Sequence, residues 1–183
     1  VMANYVAHMS KGVFVHFSTD YVFSGEKTQP YMESDPTGPL SAYGRSKLAG
    51  EQAIQSVFDA ADPLARYFIF RTSWVYGDGA NFIRTMLRLA GEKNQLRVIA
   101  DQFGTPTSAM WLAQLVAQIL ESSAHSGIYH AVPDGETTWH ALAVYAIELA
   151  RQAGEGIEVA SEHIYPITTS EYPLPAPRPK NSR

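Results

Sequence analysis

Tyr43 and Lys47 are the residues of this sequence whose types and spacing first suggest chemistry. They stand four residues apart in the segment SAYGRSKLAGEQ, so on a helix they share one face about one turn from each other. A neighbouring ammonium group favours the phenolate and lowers a tyrosine pKa that is otherwise about 10, which suits acid/base work near neutral pH. The plain alternative is an exposed tyrosine beside a solvated lysine that pairs with Glu51.

A hydroxyl group is predicted close to that helix face. Residues 13–18 form an apolar, β-branched and aromatic run that is typical of a buried strand, and Thr19 follows where the strand would end. Ligands of open α/β sheets bind at the carboxyl ends of the strands. Thr19 therefore belongs with Tyr43 at one candidate ligand site.

The composition describes an ordinary globular chain of one domain. Of its 183 residues 45% are hydrophobic and 17% are charged. No apolar run approaches the roughly 20 residues that a membrane helix needs, and a net charge of -4 gives no basic field for nucleic acid. The sequence has no cysteine, which excludes disulfides and thiolate metal sites and is compatible with a reducing compartment. We predict a cytoplasmic protein without a membrane or nucleic-acid partner.

Strands and helices are predicted to alternate, which is typical of the α/β class. After a helix at the start, strands are predicted over residues 13–18, 66–71, 96–100, 127–131 and 157–160, and helices over 41–60, 81–89, 108–121 and 138–153. The segment from Pro166 is rich in proline and is predicted to lack regular structure. No glycine-rich turn between a strand and a helix, the usual pyrophosphate site of dinucleotides, is present.

Five stretches, which together cover nearly the whole sequence, carry a resemblance to a known family. In chain order they are STDYVFSGEKTQPYMESDPTGPLSAYGRSKLAGEQ, FRTSWVYGDGANFIRTMLRLA, ADQFGTPTSA, TTWHALA and YPLPAPRPKNSR. They resemble the dTDP-4-dehydrorhamnose reductase family of the extended short-chain dehydrogenase/reductase superfamily. The resemblance implies the C-terminal half of a Rossmann-like parallel sheet with a small substrate-binding lobe. Residues 1–80 would complete the sheet and carry the Tyr/Lys helix, and residues 81–183 would mostly build the sugar-nucleotide lobe, interleaved with the sheet.

The resemblance also implies that the family's dinucleotide-binding glycine motif and four strands of the sheet lie outside this sequence. We therefore expect the chain by itself to bind NADPH weakly in a calorimetric titration and to be inactive. A sheet interrupted at residues 13–18 has an unpaired edge, so we expect association, either as a homodimer or through that edge.

The implied reaction is the NAD(P)H-dependent reduction of the 4-keto group of dTDP-4-dehydro-L-rhamnose to dTDP-L-rhamnose, for cell-surface polysaccharide biosynthesis. The resemblance assigns Tyr43 as the general acid to the ketone oxygen and Thr19 as a hydrogen-bond donor to it. Lys47 tunes Tyr43 and holds the ribose of the nicotinamide, and Ser18 also belongs to the cofactor site. The cofactor is NADPH or NADH.

The substrate-binding residues implied by the resemblance lie in several loops; they are Thr19, Asp20, Tyr21, Trp74, Asn81, Gln102 and Arg178. Trp74 offers a flat face to the sugar or packs in the core, and Asn81 meets the phosphates or caps a helix. Gln102 bonds the thymine edge or holds a turn. Arg178 binds the diphosphate or is a solvated charge on an unstructured tail.

Two features separate this chain from neighbouring classes. Sugar-nucleotide 4,6-dehydratases place Asp-Glu after the threonine, whereas Tyr21 follows Asp20 here, which favours reduction over dehydration. The six histidines do not cluster as metal ligands and Met110 stands where the family has a glutamate, so no metal site is predicted. The alternative function is a non-catalytic relative similar to the regulatory subunit of methionine adenosyltransferase, which shares the DYVF loop and the Tyr/Lys pair.

Overall fold

Helices and strands alternate along the chain, as the sequence predicts. The computed structural model describes residues 1–173 and 175–183. The strands are β1 (Val13–Thr19), β2 (Arg66–Thr72), β3 (Val75–Tyr76), β4 (Leu96–Ile99), β5 (Phe103–Gly104), β6 (Thr107–Ser108), β7 (Gly127–His130), β8 (Thr137–Thr138) and β9 (Ile164–Ile167). The α-helices are α1 (Met2–Ala7), α2 (Ala42–Phe58), α3 (Phe82–Glu92), α4 (Ala109–Glu121) and α5 (Trp139–Gln152). Single 3-10 turns cover Asp20–Val22, Ser161–His163 and Thr169–Glu171.

Three parallel strands, in the order β1-β2-β7, form the sheet that carries the predicted site. β1 and β2 pair from Val13 opposite Arg66 to Thr19 opposite Thr72, so both strands end at the same edge of the sheet. Within the part of the chain that the structure describes, β1 has a partner strand on one side only. This arrangement confirms the predicted α/β class with a parallel sheet.

Helices cover both faces of this sheet. Side chains alternate along a strand, so Phe68 and Phe70 of β2 pack with Leu112 of α4, while Arg71 points to the opposite face and reaches Glu51 of α2. The middle of β2 is therefore buried on both faces, which explains its apolar run YFIF.

A second core lies between α3, α5 and the parallel pair β4–β9. Its centre is formed by Ala90, Val98 and Ile147, all buried, with Val159 packed beside them. Two further strand pairs are short, β3 with β6 and β5 with β8. The chain returns to the first sheet through β7 after α4, so the later segments are interleaved with that sheet.

The strand predicted over residues 157–160 is wrong. These residues have no strand partner in the described structure; instead Val159 is fully buried and its N–H donates to the carbonyl of Ala90 in α3 at 3.4 Å. The alternation of Ile157 and Val159 therefore reflects packing against helices, since a buried extended segment and a strand give the same apolar pattern.

The prediction that regular structure stops before Pro166 is also wrong. Pro166 lies within β9, opposite Val98 of β4. Because β9 pairs with β4 alone among the described strands, it is an edge strand, where a residue without an N–H group is tolerated. Leu174, in the proline-rich tail, lies outside the described residues.

Candidate active site

The helix α2 carries the predicted acid/base pair at its first turns. Ser41 caps the helix, and its hydroxyl oxygen accepts a hydrogen bond from the N–H of Gly44 at 3.1 Å. Tyr43 is 54% exposed, and its hydroxyl has no hydrogen-bond partner among the described residues. The phenol is thus presented to solvent or to a ligand beside the carboxyl end of β1.

Lys47 lies one turn further along α2 and points to β1. Its ammonium group donates to the carbonyl of Phe17 and lies 3.5 Å from Nε2 of His16. Burial, and secondly the charge of Lys47, lower the pKa of His16, against an opposing effect of Glu51. The imidazole is therefore neutral near pH 7 and can accept a hydrogen bond from the ammonium group.

Thr19 ends β1 with its hydroxyl already engaged. The hydroxyl donates to Oδ1 of Asp20 at 2.9 Å and accepts from the N–H of Tyr21 at 3.2 Å. A hydroxyl has one proton to donate. When Asp20 is protonated, its carboxyl group can donate a hydrogen bond to the hydroxyl of Thr19. The proton of Thr19 is then available for a ligand.

Asp20 is a buried carboxyl group, 8% exposed. Its Oδ2 has no hydrogen-bond partner in the described structure; the hydroxyl of Ser182 donates instead to the carbonyl of Phe103 at 3.1 Å. Burial raises the pKa of Asp20 to about 6, and the hydrogen bond from the hydroxyl of Thr19 opposes the shift. No local sequence signal indicates that this carboxyl group is so strongly desolvated.

Asp20→Asn is expected to stabilise the protein at pH 7 but not at pH 4. The pKa of Asp20 is about 6 in the folded protein, against a reference value of 3.8. Between these two pH values the native state therefore keeps a proton that the unfolded state has lost. Wild-type stability therefore falls as the pH rises from about 4 to 6, by up to about 3 kcal/mol, and an amide does not titrate. Urea unfolding of both proteins at pH 4 and pH 7 measures the difference; equal gaps at the two pH values contradict it.

Tyr21 lies between Tyr43 and the C-terminal tail. The rings of Tyr21 and Tyr43 meet edge to face with centroids 6.1 Å apart. Burial raises the pKa of Tyr21 to about 12; the charge of Asp20 adds to the shift and Arg178 opposes it. Tyr21 is therefore a neutral phenol, and Arg178 of the tail lies near enough for its charge to act on it.

The tail that carries Arg178 is anchored, which corrects the prediction that it is unstructured. Lys180 and Ser182 form backbone hydrogen bonds with Phe103 at 2.8 and 2.9 Å. The side chain of Asn181 donates to the carbonyls of Lys27 and Gln29 at 2.5 and 3.0 Å. The exposed Arg178 thus extends from a segment that is fixed to the long loop after β1, residues 23–40.

Arg178 also borders a cavity of about 1070 Å³. Phe82, Met86 and Trp139 provide an apolar wall, and Tyr172 lies at the side of the tail. An apolar wall facing an exposed arginine is a suitable environment for a ligand with a flat base and a phosphate group.

Trp74 packs against another tryptophan. Its ring stacks on Trp139 with centroids 3.5 Å apart, and its backbone has a φ of 45°, a left-handed conformation that is rare for a bulky residue. A Cβ atom at Gly104 would lie 2.6 Å from the indole, so glycine is needed there. Core packing therefore accounts for one face of Trp74.

Gln102 and Asn81 are used inside the protein. Gln102 is 2% exposed; its amide oxygen accepts from Nε1 of Trp139 at 3.1 Å, and its nitrogen donates to Thr169 at 3.1 Å. Asn81 caps α3 by accepting from the N–H of Arg84 at 3.0 Å, and its nitrogen donates to the carbonyls of the preceding glycine turn. The structure does not bring either amide to Tyr43.

Ser18 faces α2, where its hydroxyl donates to Oε1 of Glu51. Glu51 in turn binds Arg71 of β2, so the pairing of Lys47 with Glu51 that belonged to the plain alternative does not occur. Sequence reasoning missed the pair of Glu51 and Arg71. The available signal was the charge of Arg71 at the end of the apolar run RYFIFR, since a buried charge needs a partner.

Membrane spans and metal clusters are absent from residues 1–173 and 175–183. None of the helices there has the length and apolar character needed to span a bilayer. No group of three or more acidic or histidine side chains converges there as metal ligands would.

Sequence comparison places the chain among characterised proteins. The family model described as RmlD substrate binding domain matches residues 1–183. The dTDP-4-dehydrorhamnose reductase of Shigella flexneri is 48% identical over 174 residues, which cover 92% of this chain and 56% of the relative. The same enzyme of Escherichia coli K12 is 47% identical over an equal span. The chain thus spans about half the length of the curated relatives it matches.

Solved structures give the same result. The dTDP-4-dehydrorhamnose reductase of Bacillus anthracis, solved in complex with NADP, superimposes with a TM-score of 0.80 at 34% identity, over 98% of this chain and 60% of that one. The Clostridium acetobutylicum protein gives 0.75 at 41% identity, over 92% and 55% of the two chains. A dTDP-glucose 4,6-dehydratase at 17% identity, with a TM-score of 0.70, shares the fold.

Proposed function

The chain belongs to the dTDP-4-dehydrorhamnose reductase family, whose substrate-binding-domain model matches residues 1–183, and on this premise we propose that it reduces the 4-keto group of dTDP-4-dehydro-L-rhamnose. The product is dTDP-L-rhamnose, a precursor of cell-surface polysaccharide. The observation that carries the proposal is the exposed phenol of Tyr43 on α2, one turn from Lys47, beside the Thr19 end of β1.

Ketone reduction needs a hydride at carbon and a proton at oxygen. A bound nicotinamide cofactor supplies the hydride. We assign Tyr43 as the donor of the proton, and Thr19 as a second hydrogen-bond donor to the same oxygen. Lys47 stabilises the phenolate that Tyr43 becomes, and an acid so positioned contributes typically 10²- to 10⁴-fold to the rate.

The residues around Lys47 fit a nicotinamide cofactor. The ammonium group and the exposed phenol lie beside the carboxyl end of β1, where dinucleotides bind in open α/β sheets, and both suit the hydroxyl groups of a ribose. Ser18 is bonded to Glu51, so we assign it a supporting role behind this site. We propose NADPH or NADH as the cofactor; the Bacillus anthracis relative was solved with NADP.

We place the dTDP part of the substrate along the cavity that Arg178 borders. The wall formed by Phe82, Met86 and Trp139 suits the thymine ring, and the guanidinium group of Arg178 suits the diphosphate. Because Arg178 also lies near Tyr21, the sugar would extend from the cavity toward Tyr43. Asp20 and Tyr21 would border the sugar, with Trp74 at the loop after β2.

Location and association are proposed on separate grounds. The cysteine-free sequence suits a reducing compartment such as the cytoplasm. One edge of β1 lacks a partner strand among the described residues, and the ring of Phe17 in this strand is exposed. Both observations support association with a further strand, in a homodimer or otherwise. Light scattering of the purified protein measures the assembly.

The function is tested by a spectrophotometric assay of the complete protein in which this sequence occurs. With NADPH and dTDP-4-dehydro-L-rhamnose we expect NADPH to be oxidised in equal amounts with the dTDP-L-rhamnose formed. dTDP-glucose, which has no ketone, serves as the control and should leave NADPH unchanged. A folded protein that binds the nucleotide sugar without oxidising NADPH would point to the non-catalytic regulatory relative instead.

A further inference from the structure

A buried ion pair lies directly behind the site and has no part in the reaction as described. Glu51 of α2 is 1% exposed and Arg71 of β2 is 4% exposed. The guanidinium group approaches the carboxylate with two nitrogens: Nη2 donates to Oε2 at 2.7 Å and Nε to Oε1 at 3.1 Å. This bidentate contact fixes direction as well as distance.

The pair and its partners tie five parts of the chain together. The hydroxyl of Ser18 in β1 donates to the same carboxylate. Nη1 of Arg71 donates to the carbonyl of Glu33 in the long loop at 3.2 Å, and the carboxylate of Glu33 accepts from the N–H of His130 in β7 at 2.9 Å. α2, the sheet and the loop are therefore held by one hydrogen-bonded group.

The positions of these residues connect the pair to the reacting groups. Tyr43, Lys47 and Glu51 follow at intervals of four residues along α2, so they occupy one stripe of the helix. Ser18 immediately precedes Thr19. A shift of Glu51 therefore also moves Tyr43, which lies on the same helix, and it moves the end of β1 through the contact with Ser18.

Stability alone is a weak reason for such a pair. Two buried charges lose their hydration, and replacing a buried ion pair by apolar residues of similar size often leaves a protein equally stable or more so. Geometry is a better reason, because a displacement of about 1 Å at a reacting group can cost a hundredfold in rate.

We propose that Glu51 and Arg71 are positioning residues, which hold the Tyr43–Lys47 face of α2 at the correct distance from Thr19. The inference rests on the proposed reductase function for its kinetic consequences. Its structural content, the placement of α2 relative to β1, does not depend on that function.

The test is the double variant Glu51→Leu/Arg71→Met, made in the complete protein. Because both charges are removed together, we expect the variant to fold, with its thermal unfolding midpoint lowered by no more than the loss of the Ser18 hydrogen bond explains. We expect kcat to fall at least about tenfold, with the KM values for NADPH and the nucleotide sugar within about twofold. A double variant that is folded and retains the parental kcat overturns the proposal, since the pair would then serve stability only.

The exposed pair of Asp78 and Arg84, with 3.8 Å between its charged atoms, provides the matched control. Asp78→Asn/Arg84→Gln also removes one acidic and one basic group, and we expect kcat and the unfolding midpoint to stay at their parental values. A comparable fall of kcat in this control would show that loss of charge, and not loss of position, causes the effect.

Glu51→Asp decides the question if the double variant does not fold. This change keeps the charge and the partner but shortens the side chain by one methylene, so α2 must move toward the sheet for the contacts with Arg71 and Ser18 to be kept. A fall of kcat with an unchanged unfolding midpoint supports positioning, and a parental kcat overturns it.

A crystal structure of the variant gives a readout that is independent of activity. We expect the distance between Tyr43 and Thr19 to differ from that in the parent by about 1 Å; an unchanged distance overturns the proposal. If the parent itself does not oxidise NADPH with the keto sugar, the proposed function fails, while this distance still decides the positioning role.

Discussion

Tyr43→Phe is expected to lower kcat of the reductase at least about a hundredfold, because the alkoxide formed at the sugar then lacks its proton donor. Lys47 and Thr19 remain, but the ammonium group of Lys47 is held by the carbonyl of Phe17, and the hydroxyl of Thr19 donates a hydrogen bond without giving up its proton. Neither group can readily replace the phenol. The measurement is the initial rate of NADPH oxidation at saturating keto sugar.

The loss would be chemical and not structural. The hydroxyl of Tyr43 has no hydrogen-bond partner among the described residues, and phenylalanine preserves the edge-to-face contact of the ring with Tyr21. The unfolding midpoint should therefore not change. Tyr145→Phe, at an exposed tyrosine of α5, is the matched control and should keep full activity. Turnover near the parental rate in Tyr43→Phe would remove this residue from the mechanism.

The helix starts could be predicted because capping is local. Ser41, Asn81, Ser108 and Thr138 stand at the predicted starts of α2 to α5, and each side chain accepts a hydrogen bond from an N–H in the first turn. In each cap the accepting side chain and the donating N–H lie within four consecutive residues, so the local sequence contains the information.

The partners of buried charges could not be predicted in the same way. Arg71 is visible as a charge at the end of an apolar run, but Glu51 lies 20 residues earlier and faces it only after α2 packs on the sheet. From sequence, Lys47 is an equally good partner for Glu51, since four residues separate them on one helix. The choice depends on tertiary packing, which places Lys47 at the edge of the sheet and Arg71 beneath the helix.

The site residues show the same difference between local and long-range contacts. The Thr19, Tyr43 and Lys47 positions follow from one strand end and one helix face, and in the structure this face lies against β1, where Lys47 donates to the carbonyl of Phe17. For Gln102 the resemblance implies a contact with the thymine edge and a turn role is equally open, and in the structure its amide bridges Trp139 and Thr169. The prolines around Arg178 predict an unstructured tail, yet backbone hydrogen bonds to Phe103 fix its neighbourhood. Both outcomes depend on contacts between distant segments.

Gly44→Ala is expected to lower kcat by about a hundredfold and to destabilise the protein. Gly44 is buried in the first turn of α2, and a Cβ atom there would lie 2.3 Å from the carbonyl oxygen of Tyr21 and 2.9 Å from Cβ of Pro39. The nearer contact is with backbone, so a side-chain rotation cannot relieve it. The helix must move by about 1 Å, which carries Tyr43 away from Thr19, and overpacking of this kind costs about 1–3 kcal/mol. Kinetics of NADPH oxidation and urea unfolding measure the two effects.

Gly50→Ala, on the same helix, is the control for Gly44→Ala. It makes the same change of residue at a position where the added Cβ meets no close contact. At Gly50 the nearest atom to an added Cβ is Nε2 of His16, at 3.8 Å, an ordinary van der Waals distance. Alanine is the better helix former in a helix interior, so Gly50→Ala should stabilise the protein by about 0.5–1 kcal/mol and leave kcat unchanged. If Gly44→Ala behaved like Gly50→Ala in both measurements, the first turn of α2 would not be held against Tyr21, and the placement of Tyr43 described above would be incorrect.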